Sequence, residues 1–134
     1  MSIEEENKAV LRRWLDEMWI HGKFRELMPE LAGPEYIRHH SNGTFTVTVE
    51  EYIDKCEQIF QKSKQTYNNV EFDYELMAEG DKVATIASYN MDGEKFLAVQ
   101  VFRLSNGKLV ETWCPEFMKA TEIAPPQLGA IPSY

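Results

Sequence analysis

The sequence is poor in the residues that build covalent or metal-held frameworks. Its 134 residues include two cysteines and three histidines. A secreted disulfide scaffold carries more cysteine than this, so Cys56 and Cys114 read as core thiols of a reducing compartment. There is no CxxC and no HExxH, and His21 stands apart from the His39–His40 pair, which argues against a metal centre. Basic residues are scarce too: 14 Lys and Arg face 22 Asp and Glu, for a net charge of −8. Such a surface repels nucleic-acid phosphates and anionic lipid, so neither partner is expected. No apolar run reaches the roughly 18 residues of a transmembrane helix. The acidic, polar first eight residues lack a signal peptide's basic and apolar regions, so cytoplasmic residence is the expectation. Gly-x-Gly-x-x-Gly, P-loop and Gly-x-Ser-x-Gly motifs are missing, which leaves nucleotide binding and serine hydrolysis without support.

What is present is an ordinary globular composition of single-domain length, with 43% hydrophobic and 27% charged residues. Ser2 and Glu5 form a capping box ahead of Ile3, Val10, Leu11, Trp14, Leu15 and Met18, a helical spacing that ends near Gly22. A short helix over 24–31 precedes Gly33-Pro34. Residues 35–39 read as a short extended segment and 40–46 as a polar loop. Thr48 and Glu51 make a second capping box before Tyr52, Ile53, Cys56, Ile59 and Phe60, the clearest amphipathic helix. From Asn69 the period becomes two, and the turns Glu79-Gly80-Asp81, Asp92-Gly93 and Asn106-Gly107 divide four strands. Helices followed by a meander of strands indicate an α+β domain over 1–122, with an extended proline-containing tail over 123–134.

Several stretches resemble one family: NKAVLRRWL at 7–15, PEYIRH at 34–39, AEGDKVA at 78–84, and VFRL at 101–104 with NGKLVETW at 106–113. Their order and spacing, over roughly residues 5–118, are similar to the SnoaL-like polyketide cyclases. These belong to the superfamily with the nuclear transport factor 2-like, or ketosteroid isomerase-like, fold. The resemblance implies an α+β cone, with three helices on the concave face of a curved antiparallel sheet. It implies cofactor-independent acid/base isomerisation, cyclisation or dehydration of a carbonyl compound, and homodimers paired through the outer sheet face. Non-catalytic ligand binding or dimerisation is the alternative function within that superfamily. One departure matters: the cyclases' cavity aspartate, four residues after the last-strand tryptophan, is Phe117 here, preceded by Glu116.

The candidate catalytic residues are His39, His40 and Glu111. Histidine titrates near neutrality, and neighbours on a strand point to opposite faces, so at most one of the pair enters a cavity. By resemblance His39 matches the family histidine. Alternation places Leu109, Glu111, Trp113 and Phe117 on one face; if that face is concave, Glu111 is a desolvated carboxylate suited to proton transfer. Pro115 is the expected place for any bulge that breaks the alternation. Trp14, Met18, Tyr36, Tyr89, Phe102, Trp113 and Phe117 are candidate walls for a small apolar or carbonyl-containing ligand, and Gln100 is a polar group among apolar neighbours. The aromatic positions fit a plain core equally well. Glu71, Asp73 and Glu75 read as a solvated strand face.

Overall fold

The computed structural model describes residues 1–114 and the backbone of Met118 and Lys119. The first helix, α1 (Ile3–Arg13), opens on Ser2, whose hydroxyl accepts from Glu5 N at 3.1 Å. It widens without a break into a π-helical segment, Trp14–Ile20, that buries Trp14, Leu15 and Met18. Then come α2 (Phe24–Leu31), β1 (Ala32–His40), β2 (Gly43–Thr48) and α3 (Val49–Thr66). The Thr48–Glu51 capping box closes in both directions, at 3.2 Å each way. The meander follows: β3 (Val70–Glu79), β4 (Lys82–Met91), β5 (Glu94–Ser105) and β6 (Lys108–Trp113), with a short β7 (Met118–Lys119) on β5.

Two expectations are corrected. The supposed polar loop over 40–46 holds the β1–β2 turn and most of β2: Phe45 and Val47 alternate with Thr44, Thr46 and Thr48, and the strand pairs antiparallel with β1. The sheet is also not the antiparallel cone. Its order is β2-β1-β6-β5-β4-β3, β1 runs parallel to β6, the edges β2 and β3 do not meet, and the sheet is not strongly curled. The reason lies in the long strands. The β3–β4 and β4–β5 ladders run through ten pairs each with no register shift, and bulges are what coil a sheet sharply.

One face of this sheet carries the helices. Val83, Phe102, Leu104, Leu109 and Tyr36 join the helical side chains Leu11, Trp14, Met18, Phe24, Met28 and Ile53 in a single core. The opposite face has no helix on it among the described residues. A β-bulge decides which residues go where at β6. Arg103 pairs with Glu111 but Leu104 pairs with Leu109, so Val110 is the extra residue. Leu109 is therefore buried in the core while Glu111 and Trp113 point the other way. The break falls at Val110, not at Pro115, which lies outside the described residues.

Candidate functional site

The parity of β1 separates the two histidines. Tyr36 is wholly buried under the helices. Arg38 and His40 follow at two-residue steps and share its face. Ile37 and His39 take the outer face, where Ile37 pairs with Glu111 and His39 with Trp113.

On the outer face His39, Glu111 and Arg103 form a closed set. His39 Nε2 lies 2.6 Å from Glu111 Oε2, and Arg103 Nε donates to Glu111 Oε1 at 2.7 Å. An ionised carboxylate only accepts, so Nε2 carries the proton, and the Thr44 hydroxyl, 2.9 Å from Nδ1, satisfies the other nitrogen. The imidazole stacks on Trp113 at 5.1 Å and 11°. The His39 hydrogen bond first, and the Arg103 guanidinium after it, hold the Glu111 carboxyl below its usual range. A carboxyl depressed in the folded state contributes stability above its unfolded pKa, and that contribution is lost as pH falls through the folded value. We expect Glu111→Gln to cost about 1–2 kcal/mol at pH 7 and much less at pH 3. Urea unfolding at the two pH values checks this; an equal loss at both would show that Glu111 contributes through packing.

On the inner face a cleft of about 320 Å³ opens between the β1–β2 hairpin and α3. Arg38, His40, Tyr52, Phe45, Val47 and Lys55 line it. Arg38 is half-buried and donates three ways: Nη1 to the Tyr52 hydroxyl, Nη2 to Cys114 Sγ at 3.2 Å, and Nε to His40 Nε2 at 3.3 Å. Its guanidinium lies 4.6 Å from the Tyr52 ring centroid, a cation–π contact that fixes its plane. Phe45 meets the His40 ring edge-on at 5.9 Å. Burial raises the Tyr52 phenol well above the usual tyrosine range and pushes up the Cys114 thiol, so both stay neutral beside the arginine.

The remaining candidates do not gather at this cleft. Trp14, Tyr36 and Tyr52 form a nearly parallel stack, with centroids 6.0 Å apart for Trp14–Tyr36 and 5.2 Å for Tyr36–Tyr52. Phe102 meets Trp14 edge-on and Met18 is fully buried, so these side chains are solid core, with the opening beside the stack rather than inside it. Trp113, expected to look into the same void as Trp14 and Tyr36, is on the opposite face with Glu111. Tyr36 Oη is buried with no hydrogen-bond partner among the described residues; the nearby Thr112 hydroxyl donates to the Val101 carbonyl at 3.0 Å. Gln100 is half-buried on the inner face opposite Thr85. Tyr89 sits with Phe72 and Phe96 at a second, more open hollow of about 470 Å³ at the far end of the strands. Phe117 lies outside the described residues, as does the tail over 123–134. The sequence reading missed Arg38, Tyr52 and Cys114 as a group; the signal was Tyr36, which sets the inward parity for Arg38 and His40. Among the described residues no three His, Cys, Asp or Glu side chains converge as a metal site requires. No described helix is long and apolar enough to cross a membrane.

Comparison with solved structures places this fold. A protein of Jannaschia sp. CCS1, provisionally described as a SnoaL-like polyketide cyclase, superposes with a TM-score of 0.69 at 20% identity, covering 91% of this chain and 90% of its own. A provisionally described polyketide cyclase of Acidithiobacillus ferrooxidans gives 0.69 at 19%, covering 97% and 99%. A de novo designed protein gives 0.66 at 16%, covering 99% and 96%. The chain thus has the fold of the SnoaL-like, ketosteroid isomerase-like and nuclear transport factor 2-like structures. That a designed protein shares it shows that the likeness carries architecture and not chemistry. No protein-family model matches the chain, and no curated protein sequence matches it.

Proposed function

We propose that this chain is a cofactor-independent enzyme that moves a proton at the carbon beside a carbonyl group of a small molecule, with His40 as the proton carrier. The observation that supports this reading is the His40 imidazole on the inner wall of the cleft, its Nε2 accepting from Arg38 Nε at 3.3 Å. The nitrogen that accepts from Arg38 uses the ring's lone pair there, so it takes a proton only once the guanidinium turns from His40 to the bound substrate. Histidine's ordinary pKa of about 6.5 suits both taking and returning a proton near neutrality. Arg38 has five N–H groups and commits three of them to described residues. The others are available to the oxygen on which negative charge gathers as the α-proton leaves. His40 then returns that proton to another carbon in an isomerisation, or to a departing hydroxyl in a dehydration. Cyclisation by aldol addition opens with the same proton removal, in keeping with the provisional descriptions of the structural neighbours.

The test begins with a thermal-shift screen of small ketones and oxo acids, followed by proton NMR of α-hydrogen exchange in D₂O with the hits. We expect the chain to accelerate exchange, and His40→Ala to slow it by about 10²–10⁴-fold with a nearly unchanged melting temperature. His39→Ala should leave the exchange rate within a few-fold. Equal rates for the parent chain and His40→Ala would sink this assignment.

A second reading concerns assembly. The outer face exposes Met77, Leu97 and Val99, with Ile86 and Val101 half-buried between them, a contiguous apolar surface across β3, β4 and β5. Surfaces of that kind mark interfaces. We propose homodimers formed through this face, under which sedimentation equilibrium gives the dimer mass and Val99→Glu the monomer mass. A monomer mass for the parent chain would remove the proposal.

A further inference from the structure

We infer that the ligand of the inner cleft is a small organic carboxylate, held by Arg38; this rests on the reading of that cleft as the substrate site. The starting point is a charge without a counter-charge among the described residues. Arg13 holds Glu17 and Glu30, Arg25 holds Asp54 and Glu57, and Arg103 holds Glu111. Arg38 is half-buried in a chain of net charge −8, yet its three hydrogen bonds to described residues go to an imidazole, a phenol and a thiol. Among the described residues no carboxylate reaches its guanidinium. A cation withdrawn from water without a partner is costly, and the structure holds this one in place through the Tyr52 ring and hydroxyl.

The other charges of the cleft point the same way. Among the described residues Glu51 is the one acid in its lining, and that carboxylate is committed to the start of α3, accepting from Thr48 N at 3.2 Å and Thr48 Oγ1 at 2.9 Å. Lys55 adds a second cation at the rim. Among the described residues the cleft is therefore a locally positive hollow in an acidic protein, and of the two N–H groups that Arg38 leaves unused one suits a carboxylate oxygen while the other serves the carbonyl oxygen beside it. Phe45, Val47 and the Tyr52 ring offer an apolar wall for the rest of the ligand. Its volume of about 320 Å³ is at the small end of ligand pockets, which run from roughly 300 to 1,000 Å³. The ligand class is thus a monocarboxylate with a compact apolar or carbonyl-bearing body, of about the size of benzoate or slightly larger. A carboxylate drawing on Arg38 also competes for the guanidinium that now occupies His40 Nε2, so ligand binding and release of the base would be coupled.

Benzoate and its uncharged isostere benzamide test this without any turnover. Each is titrated into the full chain while backbone amide shifts are followed by NMR. We expect saturable shifts at residues 38–40 and 52–55 with benzoate at least about tenfold tighter than benzamide. Arg38→Gln should abolish that preference and Arg38→Lys should keep part of it. Should Arg38→Gln fail to fold, the ratio in the parent chain together with Arg38→Lys decides the matter. Equal binding of the two probes at the cleft, or a benzoate preference that survives Arg38→Gln, overturns the carboxylate inference while leaving the cleft as a ligand site. Shifts confined to other surfaces, or none, overturn the cleft reading along with it. The proton-transfer proposal fails separately, in the exchange assay.

Discussion

Trp14→Ala is expected to destabilise the chain by about 3–5 kcal/mol, a large share of the roughly 5–15 kcal/mol that holds an ordinary domain folded. Trp14 is 2% exposed and is in contact with three other rings. Tyr36 and Tyr52 lie nearly parallel to it at 6.0 and 6.2 Å, and Phe102 presents an edge at 6.4 Å. Those three rings are fixed by the sheet and by α3, so little can collapse into the space an alanine leaves, and the cavity penalty adds to the lost transfer energy. The damage should spread to the cleft, because Tyr52 both stacks on Trp14 and orients Arg38. Trp14→Phe, which keeps a ring, should cost about half as much or less. Urea unfolding followed by circular dichroism reads both. A loss under about 2 kcal/mol for the alanine variant would mean that the aromatic stack is not the keystone of this core.

Gly22→Ala is the second large effect. Gly22 ends the π-helical segment at φ +75°, a left-handed conformation that costs an alanine about 1–2 kcal/mol. A Cβ built there would also sit 2.6 Å from Phe60 Cε2. Phe60 is packed edge-on against Phe24 at 5.6 Å, so relieving the overlap means repacking the α2–α3 seam. We expect a total of about 2–4 kcal/mol. Gly107 provides the control: it has the same φ of +75°, and nothing lies within 4 Å of the Cβ position. Gly107→Ala should therefore show the backbone term alone. Equal losses for the two variants would show that Phe60 yields freely and that the contact carries no energy. Adding Phe60→Leu to Gly22→Ala should recover part of the difference.

Much of the fold was legible because local signals agreed with one another. The Ser2 cap and the Thr48–Glu51 capping box mark the starts of α1 and α3, though the Glu5 carboxylate turns to Lys8 rather than back to Ser2, and the period-two pattern from Val70 onward marks the meander. Two features were hidden for physical reasons. The β2 strand is short, and its outward positions are all threonine, so Thr44, Thr46 and Thr48 masked the inward pair Phe45 and Val47. The bulge at Val110 leaves no mark in a one-dimensional pattern: Leu109, Glu111 and Trp113 alternate as though they shared a face, and an inserted residue reverses the sense between the first and the second. Everything inferred about Glu111 and Trp113 turned on that reversal. Arg38 escaped notice for a different cause. An arginine between Ile37 and His39 reads as solvated charge, and only the burial of Tyr36 two residues earlier shows that it points inward.

The parallel junction of β1 with β6 sets Ile37 against Glu111, residues separated in the chain by α3 and three intervening strands of the meander. On the ribosome, β1 and β2 therefore emerge long before the strand that covers their flank exists. The helices and the β3–β4 hairpin, built from nearby contacts, can assemble early, whereas the sheet becomes continuous only when β6 is released. A nascent or prematurely terminated chain would display an uncovered strand edge at β1, the kind of edge to which chaperones and aggregating neighbours attach.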